Sequence, residues 1–65
     1  MADVKYEVWD RDEVIWARSG TLEEDADLRS AACDAAHLSG EGLVVRRIYF
    51  PDDLVGAAEV TEIVP

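Results

Sequence analysis

Thr21-Leu22-Glu23-Glu24-Asp25-Ala26-Asp27-Leu28-Arg29-Ser30-Ala31-Ala32-Cys33-Asp34-Ala35-Ala36-His37-Leu38-Ser39-Gly40 is the longest periodic stretch of this 65-residue chain, and it reads as one helix. Thr21 followed three residues later by Glu24 is a capping-box pattern. Glu23, Glu24 and Asp25 load the positive end of the helix dipole, and Gly40 stands where a left-handed terminator belongs. Leu28, Ala31, Ala32, Ala35 and Leu38 form an apolar stripe at helical spacing, and its alanines let a helix lie close against a sheet. Leu22, Ala26, Cys33 and Ala36 widen that stripe. Glu23, Asp27, Ser30, Asp34 and His37 lie opposite it, so Glu23, Asp27 and Asp34 are the expected acidic surface.

Working outward from the helix, both flanks read as strand. Val4-Lys5-Tyr6-Glu7-Val8-Trp9 alternates, and Val14-Ile15-Trp16-Ala17-Arg18 is β-branched and aromatic, which makes a hairpin across Asp10-Arg11-Asp12-Glu13. Arg11-Asp12 is a poor type I′ pair, so a four-residue loop built on a type I turn is expected. With Trp9 facing Val14, the register then pairs Val8 with Ile15, Tyr6 with Ala17 and Val4 with Ser19 on the helix-facing side. Glu7 with Trp16 and Lys5 with Arg18 join Trp9 and Val14 on the other.

Past Gly40-Glu41-Gly42, Leu43 through Phe50 is nearly continuous in apolar character and reads as a central strand ended by Pro51. Asp52-Asp53 is a turn signal, and Ala57 through Val64 supplies a short fourth strand. The expected architecture over residues 1–65 is a single α+β domain, a small two-layer β-β-α-β(-β) fold with one helix packed on one face of a three- or four-stranded sheet. Direct pairing of the second and third strands would make them parallel. Any other order gives a wholly antiparallel sheet.

Composition narrows the function classes. A formal net charge of -9 and a pI near 4.2 oppose direct nucleic-acid binding and attraction to anionic membranes, which leaves proteins as the expected partners. Hydrophobic residues make up 49% of the chain, too many for an acidic disordered tail. Met1-Ala2-Asp3-Val4 has neither the basic region nor the apolar run of a signal peptide, and no segment approaches membrane-spanning length, so a cytoplasmic location is expected. Cys33 is the single cysteine and offers no disulfide framework.

One helix covers one sheet face, yet both faces of the hairpin carry large apolar groups. The second face presents Trp9, Val14 and Trp16 with either Leu43, Val45 and Tyr49 or Val44, Ile48 and Phe50, according to how the third strand is turned. Lys5, Arg18 and one of Arg46 and Arg47 rim it. Aromatic residues and arginine dominate interface energetics, so Trp9, Val14, Trp16, Arg18 and Tyr49 are the expected protein interface. Its cover is a second copy, another protein, or the chain's own C-terminal segment.

Chemistry-bearing patterns are thin. Cys33 and His37 stand four apart on one helix, a metal-sharing spacing, but two ligands do not make a site. His37 is the single histidine that could serve Ser19, Ser30, Ser39 or Cys33, and none of these lies in an elbow context. The glycines lack phosphate-loop spacing, and Val44 through Phe50 lacks the glycine-containing pattern of an RNA-recognition strand. No catalytic, cofactor or metal residues are therefore expected. The functional expectation is a small acidic non-enzymatic protein-binding module, homodimeric through the Trp9/Trp16 sheet face. The alternative is an acidic inhibitor or nucleic-acid mimic, of the kind a phage carries, that captures a basic DNA-binding protein.

Overall fold

In the computed structural model, which describes residues 3–51 and 58–64, the chain runs β1 (Asp3–Asp10), β2 (Glu13–Thr21), a 3₁₀ turn (Leu22–Glu24), α1 (Asp25–Ser39), β3 (Val44–Phe50) and β4 (Glu59–Ile63). The strands form one antiparallel sheet in the order β2-β1-β3-β4, and α1 packs against one face of it over β1, β2 and β3. The third strand is central, as its continuous apolar run implies. Because β1 lies between β2 and β3, the wholly antiparallel order holds. The turn expected at Asp52-Asp53 and the strand start expected at Ala57 lie outside the described residues.

Local chemistry accounts for the helix ends. Glu24 reaches back so that its Oε1 accepts the Thr21 backbone N–H at 3.0 Å, the reciprocal arm of a capping box. The entry turn is tightened to 3₁₀ before the α-helix begins at Asp25. Gly40, at φ 143 and ψ -163, does not form the left-handed terminator expected there. It occupies an extended region open essentially to glycine alone, and Gly42, at φ 76, supplies the left-handed residue two positions on. Where α1 begins it lies on the bare backbone of β2: a Cβ added at Gly20 would sit 2.7 Å from Glu24 Oε1 and 3.2 Å from Leu28 Cδ1.

The core is Val4, Tyr6 and Val8 of β1, Leu28, Ala32 and Ala36 of α1, and Val45 of β3, with Trp16, Ala35, Leu43 and Ile63 packed around it. The helical stripe is therefore rotated from the one expected. Leu38 is 88% exposed, while Ala36 is buried. At 3.6 residues per turn, Ala36 lies about 80° to one side of Leu28 and Leu38 about 80° to the other. The sheet meets the alanine side, where α1 approaches closely, and Leu38 is left outside.

The hairpin differs from expectation in two ways. Its loop has two residues, Arg11 and Asp12, with Asp10 opposite Glu13, and Arg11 takes φ 57 despite its side chain. Trp9 does face Val14, but Val8 faces Trp16, so Ile15 is an extra residue in β2 and the register shifts by one. Tyr6 is thus opposite Arg18, Val4 opposite Gly20, Glu7 opposite Ala17 and Lys5 opposite Ser19, not the partners a plain ladder gives. The bulge turns Trp16 onto the face that α1 covers, where its ring joins the core. Burying a large aromatic side chain contributes about 1.5–3 kcal/mol, more than one disturbed ladder step costs.

Candidate functional site: the open face of the sheet

Alternation along each strand assigns the face turned away from α1. Since Val4, Tyr6, Val8 and Val45 point into the core, Lys5, Glu7 and Trp9 of β1 and Val44, Arg46, Ile48 and Phe50 of β3 point away from it. The pairings complete four rows across the sheet: Val14-Trp9-Val44, Ala17-Glu7-Arg46-Glu62, Ser19-Lys5-Ile48-Val60 and Thr21-Asp3-Phe50. Apolar groups therefore lie on both sides of a polar middle row, Ala17-Glu7-Arg46-Glu62. Beyond it, Phe50 is 43% exposed and Val60 60% exposed, with Lys5 and Asp3 beside them on β1.

The middle row is tied to the tryptophan above it. Trp9 Nε1 donates to Glu7 Oε1 at 3.2 Å, and Lys5 Nζ lies 3.2 Å from Glu7 Oε2. The Arg46 guanidinium sits 4.5 Å from the centroid of the Trp9 ring and 3.5 Å from Glu62 Oε1. A cation over an indole at a partly exposed site contributes about 0.5–1 kcal/mol, and the exposed ion pairs are worth no more. Their consequence is orientation: the Trp9 ring is held under a positive roof with its N–H on a carboxylate. Lys5 and Arg46 balance Glu7 and Glu62, in a chain whose net charge is -9.

Of the five interface residues expected from sequence, Trp9 and Val14 lie together on this face. Trp16, Arg18 and Tyr49 lie on the other side of the sheet. Trp16 packs against the core under the Arg18 guanidinium at 5.4 Å, and Tyr49 sits beside Arg47 at 5.7 Å. The bulge at Ile15 moves the first two, and burial of Val45 fixes the parity that turns Tyr49 away. Glu7 and Lys5 lie on this face as expected, while Val60 and Glu62 join it without having been expected there. Their signal lay in register, which alternation alone does not supply.

On the helix side, a polar cluster joins α1 to the sheet. Tyr6, fully buried, donates its hydroxyl to Asp25 Oδ1 at 2.7 Å; Arg47 Nε donates to the same oxygen at 2.9 Å, and Arg29 Nε donates to the Tyr6 hydroxyl at 3.3 Å. Burial pushes the Asp25 carboxyl up, but the Tyr6 and Arg47 hydrogen bonds and the Arg47 and Arg29 charges outweigh it and hold the pKa below the ordinary value. Arg29, the single cation of α1, thus reaches the Tyr6 hydroxyl while staying exposed, and Asp27 and Asp34 of α1 and Glu23 of the entry turn are exposed as well.

Cys33 is half-buried and His37 exposed, the latter beside an open hollow of about 300 Å³ lined by Ala36, Gly40, Glu41, Gly42, Leu43 and Val64. Among the described residues no group of three or more His, Cys, Asp or Glu side chains is placed to hold a metal ion. Nor, among the described residues, is any helix long and apolar enough to cross a membrane. The architecture defines a small α+β domain, one helix on a four-stranded antiparallel sheet. No protein-family model, curated protein or solved structure matches the chain.

Proposed function

We propose that this chain is a non-enzymatic, cytoplasmic protein-binding module that acts as a homodimer through the open face of its sheet, with Trp9 as the anchor. The observation that carries this reading is one helix against a four-stranded sheet, which puts Trp9, Val14, Val44, Ile48, Phe50 and Val60 on the face turned away from α1, with Val14, Phe50 and Val60 exposed and Trp9, Val44 and Ile48 half-buried. Aromatic and aliphatic groups clustered on one surface are the usual material of an interface. The test is absolute mass by light scattering after size exclusion, over a range of protein concentration. A dimer is expected for the wild type and a monomer for Trp9→Ala/Phe50→Ala with an unchanged circular dichroism spectrum. Trp16 is not a target, because its ring belongs to the core. A wild type that stays monomeric at the highest concentration sinks the proposal.

A second reading, capture of a basic DNA-binding protein by mimicry of phosphates, draws on the exposed carboxylates Glu23, Asp27 and Asp34, with Arg29, also exposed, engaged by the Tyr6 hydroxyl. It requires salt-sensitive binding to such a protein and competition by DNA. Failure to compete with DNA at low salt removes it.

A further inference from the structure

We propose that two copies stack open face to open face about a two-fold axis running parallel to the strands, between β1 and β3, so that Glu7 of each copy meets Arg46 of the other. This rests on the homodimer reading above and specifies its geometry. Homodimers close by two-fold symmetry, and when two faces stack, that axis lies in the plane between them.

The register discriminates between the two limiting directions of the axis. β1 and β3 are the inner strands of the sheet, and across them Trp9 is opposite Val44, Glu7 opposite Arg46 and Lys5 opposite Ile48. A two-fold along the strands carries β1 of one copy over β3 of the other. Glu7 then faces Arg46, and Trp9 faces Val44, each contact occurring twice. A two-fold across the strands through the same row places Glu7 over Glu7 and Arg46 over Arg46. Like charges brought together as water leaves oppose association, and unlike charges favour it, so the charge row selects the first axis. Stacked sheets settle at about 30° to one another, which displaces the corners and leaves pairs near the centre facing. Glu7 and Arg46 are central.

Area sets the strength. Four strands at about 4.8 Å spacing and seven residues at about 3.4 Å rise give a face of roughly 450 Å² in projection. A standard interface buries about 800 Å² on each partner, so this dimer belongs to the weak end, and charge placement decides whether it forms. Outside the middle row, Asp3 lies at the end of β1 on the same face, opposite Phe50; the other carboxylates among the described residues lie on the hairpin loop, the helix and its entry turn, the loop before β3 and the edge strand β4, where stacking leaves them in solvent and screened within about 8 Å at physiological salt.

The experiment uses Glu7→Arg and Arg46→Glu, each checked for an unchanged circular dichroism spectrum. Each variant alone places like charges face to face twice over and is expected to dissociate about tenfold or more readily than wild type. An equimolar mixture restores both opposite-charge contacts, and native mass spectrometry should find the mixed dimer in preference to either homodimer. The proposal is overturned if either variant dimerises as well as wild type, or if the mixture stays monomeric while both variants are folded. Should a reversal fail to fold, Glu7→Gln and Arg46→Gln serve instead: the wild-type dimer weakens with added salt, and the neutral pair should lose that dependence, an unchanged dependence overturning the axis. A monomeric wild type removes the homodimer reading itself. A dimer broken by Trp9→Ala/Phe50→Ala but yielding no mixed dimer leaves that reading standing and overturns the axis.

Discussion

Asp25→Asn isolates the junction between helix and sheet. In the wild type one oxygen, Asp25 Oδ1, accepts both the Tyr6 hydroxyl at 2.7 Å and Arg47 Nε at 2.9 Å. Hydrogen bonds to a charged group contribute about 1.5–3 kcal/mol each when sheltered. The Asp25 side chain is 27% exposed, and an amide oxygen still accepts one donor, so the expected loss is about 1–2 kcal/mol. Against a stability of about 5 kcal/mol for so small a domain, that is easily resolved. The pH dependence follows from the depressed carboxyl. A group whose folded-state pKa lies below its unfolded value of 3.8 stabilises the fold fully above that value, and the contribution is lost as pH falls through the folded pKa. Urea unfolding followed by tryptophan fluorescence should therefore show a gap of about 1–2 kcal/mol near pH 7 and a smaller one at about pH 3, below the unfolded-state value. A gap of the same size at both pH values, or no gap at neutral pH, refutes the assignment.

Two further substitutions test the turn and the helical phase. Arg11 holds φ 57, and a side chain in that region costs about 1 kcal/mol that glycine does not incur, so Arg11→Gly is expected to raise stability by about 0.5 kcal/mol after the added freedom of the unfolded chain is counted. A decrease in the urea midpoint would contradict the positive φ. Ala36→Leu overpacks the gap between α1 and the sheet and should cost about 1–3 kcal/mol, while Leu38→Ser should stay within about 0.5 kcal/mol; the reverse order in thermal unfolding would put the other stripe against the sheet.

How far the fold can be read from the chain follows from how each signal is encoded. The capping box at Thr21 and Glu24, the central character of Leu43 through Phe50 and the helix-on-sheet layering are local patterns, legible because each depends on residues near one another. The loop at Arg11-Asp12 is not. A non-glycine residue at positive φ violates the turn preferences that sequence reasoning uses, and here it is tolerated in a hairpin whose flanking strands pair immediately beside it. Likewise the exchange of Leu38 for Ala36 in the core depends on how closely α1 approaches the sheet, which periodicity leaves open.

The candidate site turns on a single residue of register. Val14-Ile15-Trp16 carries no glycine to announce a bulge, and without one Trp9 and Trp16 share a face as an apolar pair. With Ile15 looped out, Trp16 enters the core, and Trp9 remains outside, roofed by Arg46 and anchored on Glu7. The face that results differs in kind from a bare aromatic patch. An apolar pair would accept any greasy surface, whereas a ring set beside a balanced row of charges favours a partner whose own charges fall in complementary places. The opposed Glu7 and Arg46 meet that condition for a second copy of this chain, because the two inner strands that present them are exchanged by a two-fold along the strands. The bulge thus stabilises the core with one tryptophan and makes the surface left by the other selective.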